Sequence, residues 1–180
     1  MSPRLIPLDD QGRWYTGAPK SDGQRRVGGR MAIAVDIETA AGSTTFVSVH
    51  YESESDSQGR AAQTKTLLSH LDVASPMVIG GDLNTASLAG VSNAVVLERP
   101  QRHEPCFDVF AAAELEWRTA NTGHPTTRAA PGRTVDYPLK RLDWLLTRGV
   151  QAYAPQTIPA VSEHGAYLSD HELIMAQITP

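Results

Sequence analysis

The sequence predicts an α/β layer fold, and two observations carry that expectation. Between residues 45 and 83 a strand-like apolar run, a helical stretch and a second short apolar run follow one another, which is the order of a crossover connection. Two more apolar runs, "RLDWLL" and "ELIMAQI", lie near the end of the chain and have strand length rather than helix length.

The elements follow in order. Residues 1–30 are rich in Gly, Pro and charge without sustained periodicity, and read as irregular, with 1–26 a leader. Residues 31–37 and 45–50 read as strands joined by a turn at Ala41–Gly42–Ser43, a hairpin. The first arm is almost wholly apolar and is expected inside a sheet covered on both faces. Residues 58–71 read as a helix with Ser57 as N-cap, burying Ala61, Thr64, Leu68 and Leu71. "PMVIGGDL" is a short strand after a proline. Residues 107–117 read as helical, with Phe107, Phe110, Ala111 and Leu115 on one side. From Asn121 to Arg141 no element is evident, and a loop that long in a compact domain is usually functional or disordered. Residues 141–149 form a strand closed by glycine, a short strand is expected near 151–154, and 172–178 is the last strand.

Composition narrows the function classes. A chain of 180 residues, 41% of them hydrophobic, can bury the core of one globular domain. No apolar run approaches the roughly 20 residues of a membrane span. The start "MSPRLIPLDDQGRWYTG" has no apolar signal region, so a cytoplasmic location is expected. The single cysteine, Cys106, excludes an internal disulfide framework and a thiolate-rich metal site, and reads as a small packed residue. The formal charge of −4 argues against a general DNA-cutting nuclease. The basic clusters Arg25, Arg26, Arg30 and Lys140, Arg141 read as solvated charge.

The chemistry-bearing residues stand at strand ends. In "IGGDLNT" Asp82 and Asn84 are two apart and project to one side. A carboxylate there can hold a cation or orient a water, and an amide can donate to an anion. An Asx turn closing a strand would look the same. "FVSVHYES" puts His50 at the end of an apolar strand. "RLDWLL" sets Asp143 in an apolar strand, where a buried carboxylate needs a partner. "YLSDHELIM" supplies Asp170 and His171 before the last strand. A carboxylate can orient an imidazole and favour its charged form, so Asp143 is expected to orient His171 while Asp170 faces a metal. These strand ends are expected to converge at one edge.

In that order the motifs resemble the endonuclease/exonuclease/phosphatase superfamily, from about residue 27 to 178. "VSVHYES" is similar to its Thr-His-Leu strand, with Tyr51 in place of the usual Leu, and "GRAAQTKTLLSHL" to the helix that follows, with Arg60 and Gln63 in family positions. "IGGDLNT", "RLDWLL" and "LSDHELI" are similar to its Gly-Asp-x-Asn, penultimate and Ser-Asp-His motifs. The resemblance implies a DNase I-like sandwich of two sheets flanked by helices, four layers α/β/β/α. It also implies a phosphoesterase working on a phosphodiester or phosphomonoester, with Mg²⁺ or alternatively Mn²⁺. His50 would be general acid or transition-state stabiliser, and Asp82 would orient or deprotonate the water. Asn84 would bind the scissile phosphate. Asp143 would orient His171, which would contact the phosphate or act as base, and Asp170 would help bind the metal. The loop with His124, Thr126, Thr127, Arg128 and Arg133 is expected to contact substrate, Arg128 above all. The substrate could be a small molecule, a lipid head group or nucleic acid.

The family's Asn strand and its Gln-Glu motif lie upstream of the His strand. Here 49 residues precede His50 and residues 1–30 hold no glutamate, while Glu38 lies inside the matched region. The chain is therefore expected to be an N-terminally truncated domain over 1–180, with the N-terminal strands missing. It would be an enzyme once complete, a silent binding module, or a chain completed by another.

Overall fold

A computed structural model describes residues 2–8, 29–39, 42–128 and 139–179. Alternation explains its main sheet. In β2 (Met31–Thr39) Ala32 and Ala34 are buried, whereas Met31, Ile33 and Ile37 are 49%, 46% and 45% exposed. The expectation that this arm is covered on both faces is therefore corrected: only its helix-facing side is. β2 pairs antiparallel with β1 (Arg4–Pro7) and β3 (Gly42–His50), β3 runs parallel to β4 (Met77–Asp82), and β4 pairs antiparallel with β5 (Asp143–Arg148). A second sheet pairs β6 (Gln151–Ile158) with β7 (Leu173–Thr179) and lies against β5, at the far end from β1 and β2. That placement is why the outer face of β2 is open among the described residues.

β1 replaces the irregular reading of the first residues, because four residues are too short to show a period. Residues 9–28, with Arg25 and Arg26, lie outside the described residues, as do Ala41 and Arg133. The hairpin and the crossover stand, but Gly42 and Ser43, expected in the turn, already belong to β3 and pair with Thr39 and Glu38. The helix of the crossover is α1 (Ser57–Ser69), and its cap is Asp56 rather than Ser57: the Gly59 N–H donates to Asp56 Oδ1 over 2.7 Å. A carboxylate also suits the positive end of the helix, and such a cap contributes about 1 kcal/mol.

The core lies between the sheet and the helices. Ala34, Val47, Ile79 and Leu146 stand side by side across four strands and meet Leu67 of α1 and Phe107 and Phe110 of α3 (Cys106–Ala112). α3 ends before the expected residue 117, because Glu114 turns to φ +57°, and Ala111 is exposed rather than packed. Leu115 and Trp117 return to the core beyond the turn. The short α2 (Asn93–Glu98) was not legible, since only Val96 is buried on it. Cys106 is buried, as expected, and burial pushes its thiol pKa up. No helix among the described residues is long and apolar enough to cross a membrane.

Candidate active site

The ladder itself assembles the site. His50 ends β3, Asp82 ends β4 and Asp143 begins β5, and the register sets His50 opposite Asp82 and Asp82 opposite Asp143. Opposed residues project to the same face, so the three side chains form a row. Gly81, at φ +145°, immediately precedes Asp82, and a β-carbon there would lie 1.9 Å from the Val49 carbonyl oxygen. Only glycine lets the two parallel strands close at this point.

His171 joins the row from the segment before β7. Its Nδ1–H donates to Asp143 Oδ2 over 2.8 Å, and the same oxygen accepts the Thr126 hydroxyl over 2.6 Å. That hydroxyl in turn accepts the N–H groups of Leu142 and Asp143 at 3.0 and 3.1 Å, which directs its proton to the carboxylate. Asp143 thus has hydrogen-bond partners for its half-buried carboxylate, and the His171 ring is held against it. On the other side His50 Nε2 lies 3.4 Å from Asp82 Oδ2.

Electrostatics separate the four groups. Burial pushes the Asp82 carboxyl up to about 6; the charge of Asp143 adds to this, while the Asn84 N–H, His171 and Arg30 pull the other way. The hydrogen bond and charge of Asp143 raise His171 to about 9 against its own burial. His50 is held below its ordinary value by burial, with the charges of Arg30 and His171 adding and those of Asp143 and Glu52 opposing. At neutral pH the site then holds an ionised but poorly solvated Asp82, a neutral His50 and a charged His171.

Asp82 carries a cost that can be measured. Its folded pKa is raised, so between about pH 4 and 6 the folded state binds a proton that the unfolded state has released. Stability therefore falls as pH rises through that window, and the full cost stands above 6. Asp82→Asn is expected to stabilise the chain by on the order of 2 kcal/mol at pH 7 and to have little effect at pH 4. Urea melts at the two pH values check this, and an unchanged or lower midpoint at pH 7 would refute it.

The structure places the other expected residues unevenly. Asn84, at φ +50°, is nearly buried; its amide donates to the Tyr51 carbonyl over 2.9 Å and its backbone N–H to Asp82 Oδ1 over 2.8 Å. The Asx turn and the site residue are here one structure. Asp170 is exposed and touches the loop through its backbone, its carbonyl accepting the Arg128 N–H over 2.8 Å. The loop read as a substrate-contact segment is strapped down: Thr126 and Thr127 N–H both donate to the Lys140 carbonyl, and Thr126 is fully buried. The Arg128 guanidinium pairs with Glu172 and lies 5.2 Å over the Tyr167 ring. His124 Nδ1 meets the Asn93 amide at 3.0 Å. Arg141 is not a solvated charge but 2% exposed, stacked 4.5 Å over Trp144.

Sequence reasoning missed what holds this edge in place. Arg60 of α1 makes two hydrogen bonds to the buried Glu104, at 2.9 and 2.6 Å, and a third to Ser87 Oγ at 3.1 Å. Tyr51 packs in place of the expected Leu, its hydroxyl 2.9 Å from Thr64 Oγ1, and Gln63 Oε1 accepts the Glu52 N–H over 3.1 Å. Thr126 was expected to contact substrate, and nothing in its Thr-rich loop signalled that its hydroxyl would instead hold Asp143.

Asp82, Asp143 and His171 offer ligand atoms that lie within 4.8 Å of one another. Both donors to Asp143 meet its Oδ2 and the Asn84 N–H meets Asp82 Oδ1, so each acid keeps a second oxygen that can face a cation, while His171 is charged and Asp170 lies next to it in sequence. One or two carboxylates with water and substrate oxygens are what Mg²⁺ takes, so the donor set fits a hard divalent cation.

No family model matches the chain, and no curated protein does. Solved structures do. An endonuclease/exonuclease/phosphatase from Beutenbergia cavernae DSM 12333 is 18% identical with a TM-score of 0.65, over 99% of this chain and 44% of that one. The mannosyl-6-phosphatase of Bacteroides thetaiotaomicron VPI-5482 is 13% identical with a TM-score of 0.62, over 99% and 66%. TDP2 of D. rerio, complexed with a single-strand DNA product, is 14% identical with a TM-score of 0.60, over 100% and 68%. The chain thus spans less than two thirds of the length of the Beutenbergia protein and about two thirds of the other two. A multi-stranded sheet and a second sheet with helices give the chain the DNase I-like fold that these solved structures share.

Proposed function

We propose that this edge hydrolyses a phosphoester, a diester or a monoester, with Mg²⁺ or alternatively Mn²⁺ as its cation. The observation that carries the reading is the row His50–Asp82–Asp143 with His171 hydrogen-bonded behind it. His171, charged and fixed through Nδ1, would donate from its other ring nitrogen to a phosphoryl oxygen. Asp82, ionised at neutral pH and only weakly solvated, orients a water and accepts its proton. His50, neutral, is placed to exchange a proton or to donate to the transition state. Asn84 stands next to Asp82 with an amide for the scissile phosphate.

The charge balance supports a divalent ion. The acids Asp82, Asp143 and Asp170 stand against His171 and Arg30, so an incoming phosphate would add to an excess of negative charge. Asp170, with Asp82, would hold the cation, which when bound neutralises charge on the phosphoryl oxygens. One solved neighbour is a mannosyl-6-phosphatase and another is complexed with a single-strand DNA product, which supports a phosphoester as substrate.

We read residues 1–180 as a single domain whose face carrying Leu5, Met31, Ile33 and Ile37 is open among the described residues, and which a completing chain would cover. The alternative, a binding module without turnover, is favoured by one observation: among the described residues no glutamate joins the group of Asp82, Asp143 and His171. The test is hydrolysis of a bis-aryl phosphodiester. Expected are a rate that needs Mg²⁺, its loss with a chelator, and its restoration by added Mg²⁺. Binding of Mg²⁺ and phosphate without turnover would establish the module instead.

A further inference from the structure

Just ahead of Asp170 and His171 the chain makes a small hairpin that the phosphoesterase reading does not use. Val161 bridges Tyr167, and the Leu168 N–H donates to the Ala160 carbonyl over 2.9 Å. The turn is closed by the Ser162 N–H to the Ala166 carbonyl at 2.8 Å and by the Ala166 N–H to Ser162 Oγ at 3.0 Å. Its returning arm is exposed and carries large apolar groups, Tyr167 at 43% and Leu168 at 70%.

The hairpin is held at a fixed angle to the site. Glu172, next to His171, accepts the Ala160 N–H over 2.6 Å and pairs with Arg128. Arg128 lies over the Tyr167 ring, and its own N–H donates to the Asp170 carbonyl over 2.8 Å. One carboxylate and one guanidinium therefore tie the tyrosine to the segment of Asp170 and His171. Tyr167 is three residues from Asp170, a span of at most about 10 Å. A cation against the ring fixes it and leaves exposed ring surface for another planar group.

We propose that Tyr167, braced by Arg128 and flanked by Leu168, is the specificity wall of the site and stacks on a planar ring carried by the phosphoester substrate. This rests on the phosphoesterase reading and deepens it by naming the substrate class: aryl or nucleobase-bearing esters are preferred over alkyl esters. Arg128 is then a positioning residue and not a phosphate contact.

The test is calorimetric titration of the full chain, with Mg²⁺ present, using phenylphosphonate and methylphosphonate. Expected is roughly three- to tenfold tighter binding of the phenyl compound. Tyr167→Ala is expected to remove that preference and leave methylphosphonate affinity unchanged, while Tyr167→Phe keeps it. Equal affinities in the unmodified chain, or a preference that survives Tyr167→Ala, would overturn the wall while methylphosphonate binding upheld the phosphate site. Failure of both ligands to bind would overturn the wall together with the reading on which it rests. A nucleoside monophosphate compared with phenylphosphonate then separates nucleobase from simple aryl substrates.

Discussion

Asp143→Asn is expected to slow phosphoester hydrolysis at pH 8 by about 10²- to 10⁴-fold, the range associated with a positioned proton-transfer group. The effect runs through His171. The Asp143 carboxylate raises that imidazole to about 9, so His171 is charged throughout the neutral range. An amide at position 143 can keep the geometry but not the charge, and His171 should return towards its ordinary value near 6.5. The activity of the unmodified site is expected to rise as Asp82 ionises near pH 6 and to fall as His171 loses its proton near 9. In the variant the alkaline limb moves down onto the acid limb and the plateau disappears. At pH 6 the loss should be much smaller than at pH 8. A rate profile between pH 5 and 10 reads both limbs, and an alkaline limb still near 9 would sink the assignment. The same pair links to stability with a definite sign. A histidine with a raised folded pKa stabilises fully below its unfolded value and loses that contribution as pH rises through about 9.

Arg60→Met is expected to destabilise the fold by about 3–5 kcal/mol, the usual result of removing one member of a buried ion pair. Arg60 is 2% exposed and Glu104 is completely buried. Without Arg60 the Glu104 carboxylate would keep, among the described residues, the Ser87 N–H at 2.9 Å as its donor. The pair joins α1 to the segment before α3 and, through Ser87, to the turn that follows Asn84. Urea midpoints measure the loss. The double variant Arg60→Met with Glu104→Leu separates the causes, because it removes the stranded charge and should recover much of the stability. If the double variant were as unstable as the single one, packing rather than the stranded charge would be responsible.

The site residues were legible because their signals are local. A polar residue that ends an apolar strand stands out within five or six positions, and His50, Asp82, Asp143 and His171 all did. The relations between them were legible only as far as the strand order could be guessed. What stayed hidden has long-range causes. Arg60 and Glu104 are 44 residues apart, and Thr126 and Asp143 are 17 apart. Nothing near Thr126 announces that its hydroxyl will sit between a carboxylate and two backbone N–H groups. The covered-sheet expectation for β2 failed for a related reason. Its residues are apolar on both faces, but what lies over a face is decided by where β6 and β7 pack, at the other end of the sheet.

Gly81 sets how this site can change over generations. The spacing of His50 and Asp82 is fixed by two backbones in contact where a β-carbon would sit 1.9 Å from a carbonyl oxygen. No side chain there can be exchanged to adjust it. The hairpin with Tyr167 and Leu168 is exposed and tied down only through side chains and a few backbone bonds. In the proposed site the spacing of His50 and Asp82 therefore cannot be retuned without moving backbone, while the proposed Tyr167 wall can be altered by a single side-chain exchange.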